Sequence, residues 1–381
     1  MSSRRGAAVA LVGCLVPALV VGGRSGTAPA SAKPAPAASS ASAAVRPDPA
    51  ALGFDERTLR KLARSAKRKG STCFAVARKG QLVGSWYWRG SSAESPQEVF
   101  SVTKSVASTL VGMAQADEDL SITEPAATYI PAWQGTASAS VTVRNLLAND
   151  SGRYWTPTSD YGDLVHAPDR TAYAVGLSQQ YEPGSVWAYN NAAIQTLDAV
   201  LRDATGKDTA TFAKKRLFKP LGMAHTMLTH DASGNSTDVF FGMQSTCPDL
   251  LRFGQLYAQR GRWEGDRLLP ASWVKAAIGG SSQSLNAAYG LLWWVNRYGS
   301  IRTPLDADNP GQPPGVAKVG KLAPGAPANL FAALGFGGQV VLVDPKSQTV
   351  VVRLGQPGAA DSRDYTFADA AEVVTEALKG R

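Results

Sequence analysis

The segment Phe100-Ser-Val-Thr-Lys-Ser105 places a lysine three residues after a serine, at the start of an apolar run. That run has the spacing of one helix face and predicts a helix over Val102–Ala116. Because residues three apart share a helix face, Lys104 can reach the Ser101 hydroxyl. Burial lowers the pKa of a lysine, which can then act as a base for a serine nucleophile. Ser-x-x-Lys also recurs by chance, and a solvent-facing lysine is the alternative.

A second segment, Tyr181-Glu-Pro-Gly-Ser-Val-Trp-Ala-Tyr-Asn-Asn191, carries the pattern Tyr-x-Asn. In an extended loop Tyr189 and Asn191 point to the same side, since the side-chain period there is two. A phenol beside Lys104 could carry protons between Ser101 and a leaving group, which is worth about 10²–10⁴ in rate. A packed tyrosine followed by a turn-forming asparagine is the alternative.

A third segment, Ala333-Leu-Gly-Phe-Gly-Gly-Gln339, is rich in glycine and enters a predicted strand. Glycines at a strand start let a substrate approach the backbone closely. An N–H group there could complete an oxyanion hole with that of Ser101. A plain turn is the alternative.

Together these segments resemble the pattern of serine β-lactamases and penicillin-binding proteins, whose signature is Ser-x-x-Lys followed by two later motifs. The Tyr-x-Asn form is similar to class C β-lactamases, family VIII carboxylesterases and 6-aminohexanoate-dimer hydrolases. The resemblance runs from about 52 to 378. Stretches elsewhere also fit the group: Val141–Gly152, Leu217–Met223, Asp249–Gly254, Gly261–Gly265 and Gln339–Pro345.

The resemblance implies a fold and a set of roles. The fold is α/β (α+β), with an antiparallel sheet flanked by N- and C-terminal helices and a mainly helical insertion at about 117–275. Ser101 is the nucleophile to be acylated, Lys104 its proton partner and Tyr189 the general base. Asn191 binds a substrate amide or steadies Lys104, and the N–H groups of Ser101 and Gln339 form the oxyanion hole.

The chain departs from this pattern at the last motif. Where the group has Lys-Thr-Gly, this sequence has Phe336-Gly-Gly338, so Phe336 and Gly338 become substrate-binding candidates without a cation. The lysine helps to hold a substrate carboxylate, which phenylalanine cannot do; the candidates to replace it are Lys318 and Lys321, in the preceding loop. The departure favours an ester or small linear amide as substrate. A β-lactamase or D-alanyl-D-alanine carboxypeptidase is one alternative, and a non-catalytic ligand or cell-wall binder is another.

The N-terminus predicts export. Residues 1–32 combine Arg4 and Arg5, an apolar run and small residues at a cleavage site, as in a signal peptide. Residues 33–47 are an Ala/Pro/Ser-rich linker, and 48–381 form the catalytic domain. We therefore expect a secreted protein, extracellular or in the cell envelope, with no stable membrane span after cleavage. A lipoprotein box at Cys14 is the alternative, although the chain stays apolar beyond it.

Composition narrows the remaining classes. The 381 residues are 44% hydrophobic and 18% charged, as in a globular protein. The formal charge of +9 falls to +6 without the three arginines of the signal, and no nucleic-acid motif accompanies it. The three histidines lack metal-ligand spacing, so we expect no metal and no cofactor. Cys73 and Cys247 remain after export and either pair or stay apart.

Overall fold

The computed structural model describes residues 48–279, 283–304, 318–356 and 365–379. The expected signal peptide and linker (1–47), and part of the long loop at 298–325, lie outside the described residues. The helices are α1 (Glu56–Arg68), α2 (Val102–Ala116), α3 (Val143–Ala148), α4 (Leu164–His166), α5 (Arg170–Gly176), α6 (Asn191–Thr205), α7 (Thr209–Ala213), α8 (Cys247–Ala258), α9 (Ala271–Ile278) and α10 (Phe367–Glu372). The strands are β1 (Ser71–Arg78), β2 (Gln81–Tyr87), β3 (Gln97–Glu98), β4 (Met227–Leu228), β5 (Met243–Ser245), β6 (Arg262–Trp263), β7 (Asp266–Arg267), β8 (Trp294–Val295), β9 (Gly299–Ile301), β10 (Lys318–Gly320), β11 (Phe331–Gly335), β12 (Gln339–Asp344) and β13 (Thr349–Gly355).

A six-stranded sheet joins the two ends of the described chain. Its strand order is β2-β1-β13-β12-β11-β8, and every neighbouring pair is antiparallel. Val76 of β1 lies opposite Val351 of β13, so N-terminal and C-terminal strands pair at the centre of the sheet. The expected antiparallel sheet is therefore confirmed.

Helices cover both faces of this sheet. Alternate side chains of β1 point to opposite faces, as the strand period of two requires. Phe74 and Val76 pack with α1, α10 and the π-turn Val373–Ala377, whereas Cys73 and Ala75 pack with α2, α8 and the rest of the helical region. The expected terminal helices and the mainly helical second part are confirmed.

Local signals in the sequence placed most elements correctly. Asp55 caps α1 by accepting a hydrogen bond from the Thr58 N–H at 2.9 Å. The sequence pattern predicts a hairpin that turns at Gly80-Gln81, whereas the observed turn is one residue earlier, at Lys79-Gly80, with φ of 51° and 80°. Two left-handed residues match the right-handed twist of the strands, and this selects the observed register.

The sequence pattern predicts a strand over Leu291–Asn296 and a final helix over Phe367–Leu378, and both elements are shorter in the structure. The expected strand Leu291–Asn296 is reduced to β8, because Leu292 has a φ of 58° and its backbone bonds to the helices. Its N–H donates to the Leu147 carbonyl and its carbonyl accepts from Ser105 Oγ. The final helix, predicted to reach Leu378, ends at Glu372 as α10. The chain then continues as the π-turn Val373–Ala377.

A disulfide links the sheet to the helical region. Cys73 in β1 is bonded to Cys247, the first residue of α8, across a sequence separation of 174 residues. This settles the alternative that the sequence left open. Within the described ranges, none of the helices is long and apolar enough to cross a membrane.

Candidate active site

Ser101 stands at the head of α2, just after a strained turn. Phe100 has a φ of 49°, a conformation that non-glycine residues rarely adopt. The turn is held by the Val102 N–H, which donates to the Val99 carbonyl, and by Thr103 Oγ1, which donates to the Phe100 carbonyl at 2.6 Å. The Ser101 side chain makes no capping bond to its own helix, which leaves its hydroxyl for other partners.

Lys104 lies one turn later and is 1% exposed. Its Nζ donates to Ser101 Oγ and to the Phe240 carbonyl, each at 2.8 Å, and lies 4.8 Å from the centre of the Tyr189 ring. Burial lowers the pKa of Lys104 to about 7, against an opposing effect of the negative charge of Asp160. A substantial fraction of this amine is therefore neutral at neutral pH.

Tyr189 is buried beside the same pair. Its ring stacks on Trp294 with 5.8 Å between centroids and meets Tyr289 edge-on at 6.1 Å. Burial raises the pKa of Tyr189 well above its usual value, and a hydrogen bond with Ser101 lowers it only in part. The phenol therefore keeps its proton at neutral pH.

The segment that carries Tyr189 is fixed by the end of α3. Asn149 follows α3 in a left-handed conformation, with a φ of 59°. Its carbonyl accepts the Ala188 N–H at 3.0 Å and its Oδ1 accepts the Asn190 N–H at 3.4 Å. Asn190 in turn caps α6. The stretch Val141–Gly152, singled out by its resemblance to the family, thus supports the Tyr189 segment.

The two-residue period assumed that Asn191 lies in an extended loop. In the structure, Asn191 is the first residue of α6. Its Nδ2 donates to Asp160 Oδ2 at 2.8 Å instead of contacting Lys104. Its Oδ1 is buried and makes no hydrogen bond of standard geometry within the described residues. Asn191 is therefore held from one side and has an acceptor to offer on the other.

A cavity of about 350 Å³ opens at Ser101. It is lined by Ser101, Tyr161, Tyr189, Trp294, Arg302, Thr303, Pro304, Leu322, Leu334, Gly335 and Phe336. Most of these side chains are apolar or aromatic, while the serine and Arg302 supply polar groups. The cavity suits a substrate with an apolar part.

The end of β11 runs alongside the nucleophile. A side chain at Gly335 would collide with the Val99 carbonyl, so only glycine permits this approach. Phe336 is 64% exposed and packs edge-on against the Phe100 ring at 5.6 Å. Gly335 and Phe336 therefore bring their backbone to the Ser101 cavity.

The structure does not bring Gly338 and Gln339 to this cavity. The Gln339 side chain is fully buried; its Nε2 donates to the carbonyls of Phe336 and Gly355, and its Oε1 accepts the Gly355 N–H. Gly338 packs against Tyr365. Both residues line a neighbouring groove of about 380 Å³ and hold the turn that carries Phe336.

The two lysines considered as replacement cations also stand elsewhere. Lys318 is in β10, and Lys321 Nζ donates to the Ala326 carbonyl at 2.7 Å. Neither lines the cavity, whereas Arg302 does. Among the residues that the structure describes, no group of three or more His, Cys, Asp or Glu side chains is placed to hold a metal ion.

Four residues contribute to the site in ways that were not predicted from the sequence. Asp160 and Tyr161 come from a polar loop without a motif, and the Phe240 contribution is a backbone carbonyl, which leaves no side-chain signal. Trp294 was assigned to sheet packing. The sequence signal that could have found Asp160 and Tyr161 is the position of their loop, Tyr154–Asp169, between two stretches that resemble the family.

Fold and site together define the β-lactamase/transpeptidase-like class. The chain belongs to the Beta-lactamase family, whose family model matches residues 56–373. Members of this family are serine hydrolases that act on small substrates. A curated β-lactamase from Lysobacter lactamgenus is 24% identical over 236 residues. That match covers 56% of this chain, and the chain spans 59% of the relative's length.

Solved structures show the same fold. A protein from Bacillus anthracis with a provisional assignment as a 6-aminohexanoate-dimer hydrolase is 22% identical, with a TM-score of 0.61 over 79% of this chain and 77% of that one. A class C β-lactamase is 16% identical, with a TM-score of 0.62 over 88% of this chain and 99% of that one. At these identities the likeness concerns the fold alone.

Proposed function

We propose that this protein hydrolyses an ester or a small linear amide through an acyl-enzyme on Ser101. The observation that carries the proposal is the buried Lys104 amine, whose Nζ lies 2.8 Å from Ser101 Oγ. A buried amine with a pKa of about 7 is a base matched to neutral pH. The hydroxyl and its base are held on one helix, so their geometry does not depend on a loop.

Acylation begins when neutral Lys104 takes the Ser101 proton and Oγ attacks the substrate carbonyl carbon. The negative charge that develops on the carbonyl oxygen is stabilised at the head of α2 and by backbone N–H groups at Gly335–Phe336, in place of the Gln339 N–H that the sequence indicated. The proton passes from Lys104 by way of the Tyr189 hydroxyl to the leaving oxygen or nitrogen. The leaving group departs as an alcohol or amine.

Deacylation repeats these steps with water. A water molecule loses a proton to Lys104 and attacks the acyl carbonyl, and Ser101 Oγ recovers a proton as the carboxylic acid product leaves. This scheme makes Tyr189 a proton relay rather than the general base suggested by the family resemblance. Its support is the opposite pKa shifts that burial imposes on the phenol and the amine.

The cavity favours an ester or linear amide over a β-lactam. Phe336 stands where the family signature has a lysine, and the cavity walls are mostly apolar. The fold of the provisionally assigned aminohexanoate-dimer hydrolase is compatible with such a substrate. We also propose secretion, which the Cys73–Cys247 disulfide supports, since such bonds persist in oxidising compartments.

The test combines active-site labelling with a substrate panel. A fluorophosphonate should add its mass to the peptide that contains Ser101, and p-nitrophenyl butyrate should be turned over. A linear amide, a D-alanyl-D-alanine peptide and a cephalosporin complete the panel. Preference for the peptide or the cephalosporin would support the carboxypeptidase or β-lactamase alternative. Labelling without any turnover would support the non-catalytic binder.

A further inference from the structure

Two buried carboxylates are associated with α6: Asp198 belongs to this helix, and Asp160 accepts hydrogen bonds from its first residues. Asp160 is 1% exposed and Asp198 is fully buried. Asp198 accepts hydrogen bonds from the hydroxyls of Thr171 and Thr209 at 3.0 and 2.7 Å, and Arg202 is its nearest cation at 3.8 Å. Asp198 is thus satisfied within the structural core.

Asp160 instead binds the first residues of α6, directly after Tyr189. Its Oδ2 accepts the backbone N–H and the Nδ2 of Asn191 at 3.1 and 2.8 Å. Its Oδ1 accepts the Ala192 N–H at 2.9 Å. The carboxylate therefore ties the loop Ser159–Asp163 to the segment that presents the phenol.

Asp160 also acts on the catalytic base through its charge. Burial raises the pKa of Asp160 to about 6, and Lys104 opposes that rise. In return, the negative charge of Asp160 raises the pKa of Lys104 against the effect of burial. The two groups thus share one electrostatic interaction inside a region of low dielectric constant.

We propose that Asp160 is a positioning residue for the reaction described above: its hydrogen bonds to Asn191 and Ala192 fix the segment that presents Tyr189, and its carboxylate charge acts on Lys104. This inference rests on the proposed function. It explains why a buried carboxylate accepts three hydrogen bonds from the first two residues of α6.

Three phenols also interact with the negative charge of Asp160. Tyr161 lies in the same turn as Asp160, Tyr173 in α5 and Tyr189 before α6, and burial raises the pKa of each. They stay neutral between pH 5 and 8. Of these groups, Asp160 and Lys104 are therefore the ones that titrate in this range.

The test compares Asp160→Asn with the control Asp198→Asn, using the pH dependence of kcat/KM for p-nitrophenyl butyrate. Removing the Asp160 charge lowers the pKa of Lys104, so neutral amine persists at lower pH. The acid limb of the profile should move to lower pH by on the order of one pH unit. Asp160→Glu, which keeps the charge, should restore the wild-type limb, and Asp198→Asn should leave it in place. A lower rate with an unmoved limb in Asp160→Asn would show a merely structural role and overturn the proposal.

A measurement on the wild-type protein covers the case in which Asp160→Asn does not fold. The ¹³C signal of the Lys104 ε-carbon, assigned with Lys104→Arg, should titrate in two coupled steps, because the charges of Lys104 and Asp160 interact. A single-step curve would contradict the proposal. Because this titration needs no turnover, it separates failure of the Asp160 role from failure of the hydrolase function.

Discussion

The two walls of the cavity differ in how deeply their side chains are buried. On one wall, Ser101, Lys104 and Tyr189 belong to or adjoin helices, and the lysine and tyrosine are buried. On the other wall, the turn after β11 presents Phe336 with 64% of its surface exposed. The buried wall follows the family pattern, whereas the exposed wall departs from it. We infer that the first sets the chemistry and the second the choice of substrate.

The largest effect should come from the nucleophile. Ser101→Ala should lower kcat at least about 10³-fold with little change in Tm, because no acyl-enzyme can form. Ser108→Ala, at a buried serine two turns further along α2, is the matched control and should retain activity. Residual activity of Ser101→Ala within tenfold of wild type would show that the buried wall does not carry out the reaction.

The proton-transfer groups should come next. Lys104→Ala and Tyr189→Phe should each lower kcat more than about 10²-fold at saturating substrate. Tyr189→Phe is the sharper variant, because it deletes the hydroxyl and keeps the ring stacked on Trp294. A Tyr189→Phe enzyme with wild-type kcat would show that Lys104 alone moves the protons.

A change at Gly335, where the exposed wall approaches the Val99 carbonyl before Ser101, should have an intermediate effect on kcat. Gly335→Ala forces its Cβ against the Val99 carbonyl and displaces the turn before Ser101. A displacement of about 1 Å can cost on the order of 10² in rate. Gly320→Ala in β10, where a Cβ meets no atom, is the control. Equal kcat values for both variants would mean that the two walls are not coupled.

The smallest effect should come from the exposed wall. Phe336→Lys should change kcat for p-nitrophenyl butyrate less than about tenfold, because the side chain is exposed and outside the proton path. The same variant should raise the turnover of a cephalosporin relative to the ester, since a lysine at this position would add a second cation, besides Arg302, to hold a substrate carboxylate. An unchanged ratio would mean that Phe336 does not select the substrate.

The sequence predicted the parts of this molecule that depend on local periodicity. The Ser101–Lys104 contact follows from three-residue helix spacing, and the flanking strands follow from their apolar runs. The sequence indicated the Gln339 N–H for the oxyanion hole, whereas Gly335 and Phe336, on the other side of the same turn, line the cavity. Which residues of a turn line a cavity depends on the strand register, and the motif alone does not carry that register. Asp160 and the Cys73–Cys247 bond depend on contacts between distant segments, and one sequence carries no signal for those.

The most direct test of the central claim is mass spectrometry of the enzyme quenched with acid during turnover of p-nitrophenyl butyrate. We expect a butyryl group on the tryptic peptide that contains Ser101 in the wild type, accumulating further in Tyr189→Phe if deacylation is slowed more than acylation. Ser101→Ala should carry no adduct. Sustained turnover with no acyl group on Ser101, or with the group on another residue, would contradict the account.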